Sequence, residues 1–91
     1  MLVTLNDILP IAAASKSAIA CINVFSFEDA RAIIEAAEQH QQPVILATNK
    51  DMGDMLGVDT LAGMLLPIIK KSSAPICLHR DHCYEESIVF R

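Results

Sequence analysis

The stretch APICLHRDH, residues 74–82, is the most informative part of this 91-residue sequence. Its first five residues are mostly apolar and match a short β-strand, whereas its last four are ionisable. In α/β enzymes the catalytic groups stand at the carboxyl ends of buried parallel strands. The stretch therefore predicts a strand over residues 75–79 that ends at a functional site.

Two earlier apolar runs predict further strands over residues 18–24 and 43–47, each buried on both faces. Residues 42–46, QPVIL, match residues 74–78, APICL, in pattern, and a proline opens each strand. Proline does least harm at the start of a strand, where its missing N–H is not needed. The spacing of about 30 residues between these two segments is typical of βαβ units.

Helical periodicity occupies the intervals between the strands. Thr4 and Asp7 predict the start of a first helix, which Pro10 is expected to keep short. Ser26 is expected to cap a second helix through residue 38, and a third is predicted over about residues 60–71, kinked at Pro67. Residues 48–59 are polar and contain glycine, which predicts a loop, and a further helix is expected in residues 84–91.

This order of elements, a helix followed by β-α-β-α-β, favours either a doubly wound sheet or a β/α barrel. A complete barrel has eight strands and about 250 residues, so this sequence would supply only its first strands. The sequence is also 53% hydrophobic with a mean hydropathy of +0.39, which is rich for a small soluble domain. We therefore expect elements that are covered by further chain or by a partner.

Composition excludes several classes of function. The net charge of −4 and the low aromatic content, without a basic stripe, argue against nucleic-acid binding. The apolar stretches are shorter than the roughly 20 residues of a membrane span, and the N-terminus has no signal-peptide pattern. The sequence thus predicts a cytoplasmic protein without membrane contact, whose three cysteines are reduced thiols.

The ionisable cluster itself suits acid/base chemistry. Alternation along a strand makes His79 and Asp81 point the same way, with Arg80 pointing oppositely. An aspartate beside a histidine suits general acid/base work near a metal ion. From the residues alone, a structural ion pair between His79 and Asp81 at a sheet edge remains the main alternative.

Two other motifs were weighed for the same cluster. A zinc knuckle has enough candidate ligands, but their spacing is poor. A protein-kinase catalytic loop expects Asn at position 86, where this sequence has Glu86, and no glycine-rich loop follows a strand. The four candidate ligands of the knuckle are Cys77, His79, His82 and Cys83.

Taken together, the segments resemble the N-terminal third of the class II, zinc-dependent ketose-bisphosphate aldolases, the fructose- and tagatose-bisphosphate aldolase family. Residues 18–24 and the helix after them resemble the first strand and helix of the family, and residues 43–47 resemble its second strand. Residues 78–82 resemble its His-x-Asp-His motif. The resemblance implies an α/β fold, a partial TIM (β/α)8 barrel of about three β/α units with a short N-terminal helix, in which residues 1–91 form the N-terminal segment.

The resemblance also implies roles for individual residues. Asp81 would be the catalytic acid/base that moves the proton of the C4 hydroxyl during carbon–carbon cleavage, and His82 would be a zinc ligand. Asn23 and Asn49 would bind substrate, with Asn49 at a position that contacts a phosphate. The implied reaction is the reversible cleavage of a ketose 1,6-bisphosphate, a phosphorylated sugar, to dihydroxyacetone phosphate and glyceraldehyde 3-phosphate, with Zn2+ polarising the carbonyl.

A catalytic zinc ion needs about three protein ligands, and the resemblance assigns only His82. The other ligands are expected beyond residue 91, so the active site is expected to be incomplete in this chain and the chain alone inactive. The alternative is a non-catalytic α/β remnant that acts as a self-associating or partner-binding module. Homo-oligomers or association through exposed apolar surface are expected in either case, and an unrelated doubly wound fragment is a third interpretation.

Overall fold

The computed structural model describes residues 1–80, apart from the side chain of Lys50. Three parallel strands form one sheet, and their order in space is their order in the chain. Residues 81–91, in which a further helix was expected, lie outside the described part of the chain. The elements in chain order are α1 (Leu5–Ala14), β1 (Cys21–Asn23), α2 (Phe27–His40), β2 (Val44–Thr48), α3 (Lys50–Leu56), α4 (Val58–Lys71) and β3 (Ile76–Arg80).

The strand register gives the sheet two chemically different faces. Cys21, Ile45 and Cys77 lie side by side, and the next residues toward the carboxyl ends alternate faces. We call the face that carries this row the inner face and the opposite one the outer face. The inner face carries Cys21, Asn23, Ile45, Ala47, Cys77 and His79, and the outer face carries Ile22, Val44, Leu46, Thr48, Ile76, Leu78 and Arg80.

The main hydrophobic core lies between the outer face and two helices. Both α2 and α4 pack on this face, and they also contact each other. Each helix contributes apolar residues at the three- and four-residue spacing of one helical stripe. The core members from the helices are Ala30, Ile34 and Ala37 of α2, and Leu61, Leu65 and Ile69 of α4.

Helix α1 covers the amino-terminal half of the inner face. Its residue Ile8 packs with Ile45 and Cys77 in a second, smaller core. The chain reaches this position along the edge of β3, where the Val3 N–H donates to the Ile76 carbonyl at 2.9 Å and Ile76 donates to Met1 at 2.8 Å. The first helix is therefore held beneath the sheet, on the side opposite to α2 and α4.

The first strand differs from its prediction. The sequence predicted a strand over residues 18–24 buried on both faces, whereas β1 spans Cys21–Asn23 and all three residues are exposed. Within residues 1–80, β1 pairs only with β2, so its other edge is unpaired. Val24, directly after the strand, is only 1% exposed and joins the main core.

Helix α1 is longer than expected, because it continues through Pro10 for ten residues. Proline removes one backbone N–H inside the helix, which leaves the carbonyl of Asn6 without its usual partner. Asn6 and Pro10 are both exposed to solvent, so water can hydrogen-bond to the Asn6 carbonyl. The predicted start is confirmed: Thr4 and Asp7 form a capping box, with the Thr4 N–H donating to Asp7 Oδ2 at 2.8 Å.

The predicted loop over residues 48–59 is wrong, because most of it is helical. Asn49 caps α3, and α4 begins at Val58 after a single connecting residue, Gly57, whose φ of 86° lies in the region that favours glycine. The short length and the polar residues of α3 concealed its helical period. No helix within residues 1–80 is long and apolar enough to cross a membrane.

The outer face ends in a close approach between a strand and a helix. At the carboxyl end of β3, the Arg80 side chain lies against Gly53 of α3, where an added Cβ would stand 2.8 Å from Nη2. Strand alternation had predicted that Arg80 points away from His79, and the register confirms this. Because Gly53 has no side chain, the guanidinium fits between α3 and the sheet.

We expect Ser26→Ala to lower the free energy of unfolding by about 1 kcal/mol. The Ser26 hydroxyl accepts a hydrogen bond from the Asp29 N–H at 3.1 Å, which satisfies one donor of the first turn of α2. Urea denaturation followed by circular dichroism would measure the change. Ser26→Asp, which keeps an acceptor, should remain close to wild type, and equal stability of the alanine variant would contradict the cap.

The two helical glycines should respond differently to alanine. Gly63→Ala in α4 meets open space and should raise the free energy of unfolding by about 0.5–1 kcal/mol, since alanine is the better helix former. Gly53→Ala should gain less or lose stability, because the Arg80 guanidinium must move away from the new methyl group. The same denaturation assay measures both, and an equal gain at the two positions would contradict the contact.

Candidate functional site

The polar residues predicted for the site meet at the carboxyl edge of the sheet. In the strand register, Asn23 of β1, Ala47 of β2 and His79 of β3 form one row on the inner face. Adjacent strands lie about 4.8 Å apart, so Asn23 and His79 are separated by about 10 Å across the row. The alanine between them is small, which leaves room for a bound group above the middle strand.

Asn49 follows β2 at the same edge and has a defined orientation. Its Oδ1 atom accepts a hydrogen bond from the Met52 N–H at 3.0 Å, so that the side chain caps α3. The carbonyl half of the amide is thereby occupied. Its Nδ2 group makes no hydrogen bond within residues 1–80 and is the half that can donate to a ligand.

His79 is half-buried and is tied to the middle strand through its backbone. Its carbonyl accepts a hydrogen bond from Thr48 Oγ1 at 3.3 Å, which joins the ends of β2 and β3. The predicted catalytic residue Asp81 and the predicted zinc ligand His82 come directly after β3 and lie outside the described residues. The structure thus brings Asn23 and His79 into one row, with Asn49 at the same edge, and describes the strand from which Asp81 and His82 follow.

The row beneath the polar residues is apolar in character. Burial raises the pKa of the Cys77 thiol, with smaller contributions in the same direction from Cys21 and Asp7. A raised pKa keeps this thiol protonated near neutral pH, so it is a poor nucleophile and a poor metal ligand. Within residues 1–80, Cys21 and Cys77 form no disulfide.

The described residues do not form a metal centre by themselves. Within residues 1–80 there is no group of three or more His, Cys, Asp or Glu side chains that could hold an ion. Cys77 and His79 share the inner face as predicted, but the other two residues of the zinc-knuckle alternative, His82 and Cys83, lie outside the described part. A zinc ion at this edge would therefore need ligands beyond the first 80 residues.

Sequence reasoning missed one contributor to this edge, Ala47. Ala47 lies between Asn23 and His79, and its small side chain leaves space between these polar neighbours. It is only 2% exposed. The available signal was a small residue in a run of larger apolar ones, VILAT. Without the register between strands, that signal could not be connected to Asn23 and His79.

Comparison with known proteins identifies the fold and the family. Residues 3–91 match the family model described as class II fructose-bisphosphate aldolase. The structure also superposes on the crystal structure of the YdjI aldolase from Escherichia coli K12 with a TM-score of 0.90 and 26% sequence identity. That match covers 99% of this chain and 35% of the YdjI chain.

Curated relatives include two aldolases that are named for different substrates. The 6-phospho-5-dehydro-2-deoxy-D-gluconate aldolase of Halalkalibacterium halodurans is 37% identical over 84 residues, which cover 89% of this chain and 29% of the relative. The fructose-bisphosphate aldolase of Thermus caldophilus is 36% identical over 83 residues, covering 90% of this chain and 27% of the relative. The chain thus spans less than a third of the length of these relatives, and it belongs to the class II fructose-bisphosphate aldolase family.

Proposed function

We propose that residues 1–91 are the N-terminal segment of a zinc-dependent class II aldolase barrel, which reversibly cleaves a phosphorylated ketose. The observation that carries this proposal is the polar row Asn23–Ala47–His79 at the carboxyl edge of a parallel sheet. Barrel enzymes build their active sites at this edge. Membership of the aldolase family supports the choice of reaction.

Several features of the sheet support a barrel in preference to a doubly wound sheet. Both α2 and α4 pack on the outer face, as the outer helices of a barrel do. Helix α1 covers the inner face at the amino ends of the strands, where it would close the bottom of the barrel. In a doubly wound sheet, by contrast, helices cover both faces along the full length of the strands.

Asp81 and His82 are the residues proposed for the chemical step. Asp81 has the same strand parity as His79, so an extended chain would carry its carboxylate toward the inner side. There it would take and return the proton of the C4 hydroxyl as the bond between C3 and C4 breaks. Zinc, when bound by His82 and by ligands outside residues 1–91, would polarise the ketose carbonyl.

The two asparagines are proposed to orient the substrate. Asn49 would donate its Nδ2 hydrogens to a phosphate group, because its Oδ1 is already committed to capping α3. Asn23 is exposed on the inner face of the edge strand and would contact the sugar. A cap that fixes the side chain in advance reduces the entropy lost on binding.

The substrate is proposed to be a ketose 1,6-bisphosphate, with dihydroxyacetone phosphate and glyceraldehyde 3-phosphate as products. The name of the Thermus caldophilus relative specifies a fructose bisphosphate, and the name of the Halalkalibacterium halodurans relative specifies a phosphorylated sugar acid. Both names denote carbon–carbon cleavage of a phosphorylated substrate. A phosphorylated sugar is therefore the shared substrate class.

The open edges of the sheet favour a second candidate function, a non-catalytic module that associates with itself or with a partner. A groove of about 730 Å³ lies beside β3 and the first residues of the chain, lined in part by Leu2, Leu66 and Leu78. On the other side of the sheet, Ile22 of β1 is 42% exposed beside α2. Apolar strand edges of this kind are prone to pairing with another chain.

A chimera tests the proposed catalytic role. Residues 1–91 would replace the matching segment of the Thermus caldophilus fructose-bisphosphate aldolase, whose remaining chain supplies the rest of the barrel. We expect zinc-dependent cleavage of fructose 1,6-bisphosphate by the chimera and none by the 91-residue chain alone. Asp81→Asn should lower kcat by about a hundredfold to ten thousandfold, the usual contribution of general acid/base catalysis.

The controls separate chemistry from folding. His82→Ala should lower the zinc content of the purified chimera, measured by mass spectrometry, whereas Asp81→Asn should retain zinc. Met55→Ala, at a side chain that is 80% exposed, should change neither property. A folded, zinc-loaded chimera without cleavage, or an Asp81→Asn chimera as active as its parent, would refute the proposal.

The two halves of the Asn49 amide give a separate prediction in the same chimera. Asn49→Asp keeps the oxygen that caps α3 but removes the donor, so we expect unchanged stability and a KM for the sugar phosphate raised about tenfold or more. Asn49→Ser keeps a capping oxygen and supplies a hydroxyl donor, so its KM should lie between that of the wild type and that of Asn49→Asp. Steady-state kinetics and thermal unfolding measure both effects, and an unchanged KM for Asn49→Asp would exclude the phosphate contact.

A further inference from the structure

A cavity on the outer side of the sheet is not used by the proposed aldolase chemistry. It has a volume of about 410 Å³ and lies between the carboxyl end of α3, the first turn of α4 and the end of β3. It faces away from the row Asn23–Ala47–His79, because Arg80 projects to the opposite face of the sheet. Its polar and glycine lining consists of Gly53, Asp54, Gly57, Asp59, Thr60 and Arg80.

The unusual member of this lining is Arg80. Its Nε and Nη2 atoms are both buried, and neither has a hydrogen-bond partner within residues 1–80. These two N–H groups share one edge of the planar guanidinium, the edge that binds a carboxylate or phosphate through two parallel hydrogen bonds. Arginine stays charged at any accessible pH, so a buried edge without an acceptor is strongly unfavourable.

The carboxylates that line this cavity form no ion pair with Arg80 within residues 1–80. Asp54 is not a free carboxylate, and Asp59 stands in the first turn of α4, where the helix dipole stabilises its negative charge. The positive charge of Arg80 is therefore left without compensation in the described part of the chain.

The rest of the lining can assist an anion. The N-cap of helix α4 is Gly57, which has no side chain, so no cap side chain satisfies the backbone N–H groups of the first turn. The hydroxyl of Thr60 lies in the same turn and can donate a hydrogen bond. The uncapped turn adds hydrogen-bond donors to those of Arg80. The unpaired edge of Arg80 is what requires an acceptor in this cavity.

We propose that this cavity binds a small oxyanion, a phosphate or carboxylate group, on the Nε–Nη2 edge of Arg80. The oxyanion reaches that edge through the cavity after a rotation of the flexible arginine side chain. Its charge and its two acceptor oxygens supply what the buried guanidinium lacks. The site is separate from the proposed substrate site and holds whether or not the aldolase proposal is correct.

Titration of the 91-residue chain with inorganic phosphate tests the proposal. The ionic strength is kept constant with sodium chloride, and amide shifts are followed by two-dimensional NMR. We expect saturable shifts of the amides of residues 53–60. Arg80→Met should weaken binding at least about tenfold, the value of a charge-assisted hydrogen bond, whereas the matched control Arg31→Met, at an exposed arginine paired with Glu35, should not.

The same titration with acetate in place of phosphate shows whether the site binds a carboxylate or a phosphate. Saturable shifts with acetate alone assign the site to a carboxylate, and shifts with phosphate alone assign it to a phosphate. Either result supports an oxyanion site at Arg80. No saturable shift at residues 53–60 with either anion, or equal shifts in wild type and Arg80→Met, would overturn the proposal.

Two further measurements separate this site from an internal ion pair. In a chloride buffer without phosphate, Arg80→Met should raise the midpoint of thermal unfolding, because it removes a charged group whose buried Nε–Nη2 edge has no partner within residues 1–80. Asp59→Asn should tighten phosphate binding, since it removes a repelling charge from the same cavity. If Asp59 were instead the partner of Arg80, both variants would lower the unfolding midpoint, and that result would overturn the proposal.

Discussion

The complete burial of β2 is the constraint on which the rest of the structure depends. All five of its residues are buried, and it is hydrogen-bonded to a neighbour on each side. Residue Leu46, with no exposed surface, faces α2 and α4, while Ile45 faces α1. A parallel strand can be buried in this way only if both of its faces are covered and both of its edges are paired. The two cores, the register of the flanking strands and the position of Asn49 after the strand all follow from that condition.

Much of this arrangement could be predicted from residue patterns. The run at residues 43–47 and the stripe in α2 have unambiguous periods, so β2 and α2 were predicted close to their observed bounds. The capping signals at Thr4 and Ser26 depend on interactions within three residues, and both were correct. The α/β class with a parallel sheet followed from the alternation of these elements. Local chemistry was sufficient wherever one face of an element is clearly apolar.

Two of the errors depend in part on contacts that are remote in sequence. Helix α3 is short and half polar, and it is positioned by the Asn49 cap, by Met52 in the main core and by the approach of Gly53 to Arg80. The exposure of β1 depends on what lies beyond its free edge. The seven residues of its predicted run carry no information about that. For the candidate site, strand parity predicted the side of Arg80, whereas the alignment of Asn23 with His79 required the register across β2.

The alternation of His79 and Arg80 has a consequence for how accurately β3 must pair. A shift of β3 by one residue along β2 would exchange its two faces. The imidazole would then be pressed against α3 and α4, and the guanidinium would stand over Ala47 on the inner side. Leu78 would leave the main core and Cys77 would enter it. The misaligned sheet would lose the apolar contacts of Leu78 and would also place His79 and Arg80 on the wrong faces. Because adjacent residues of β3 belong on opposite faces, a misaligned strand is less stable, and this favours the correct register during folding.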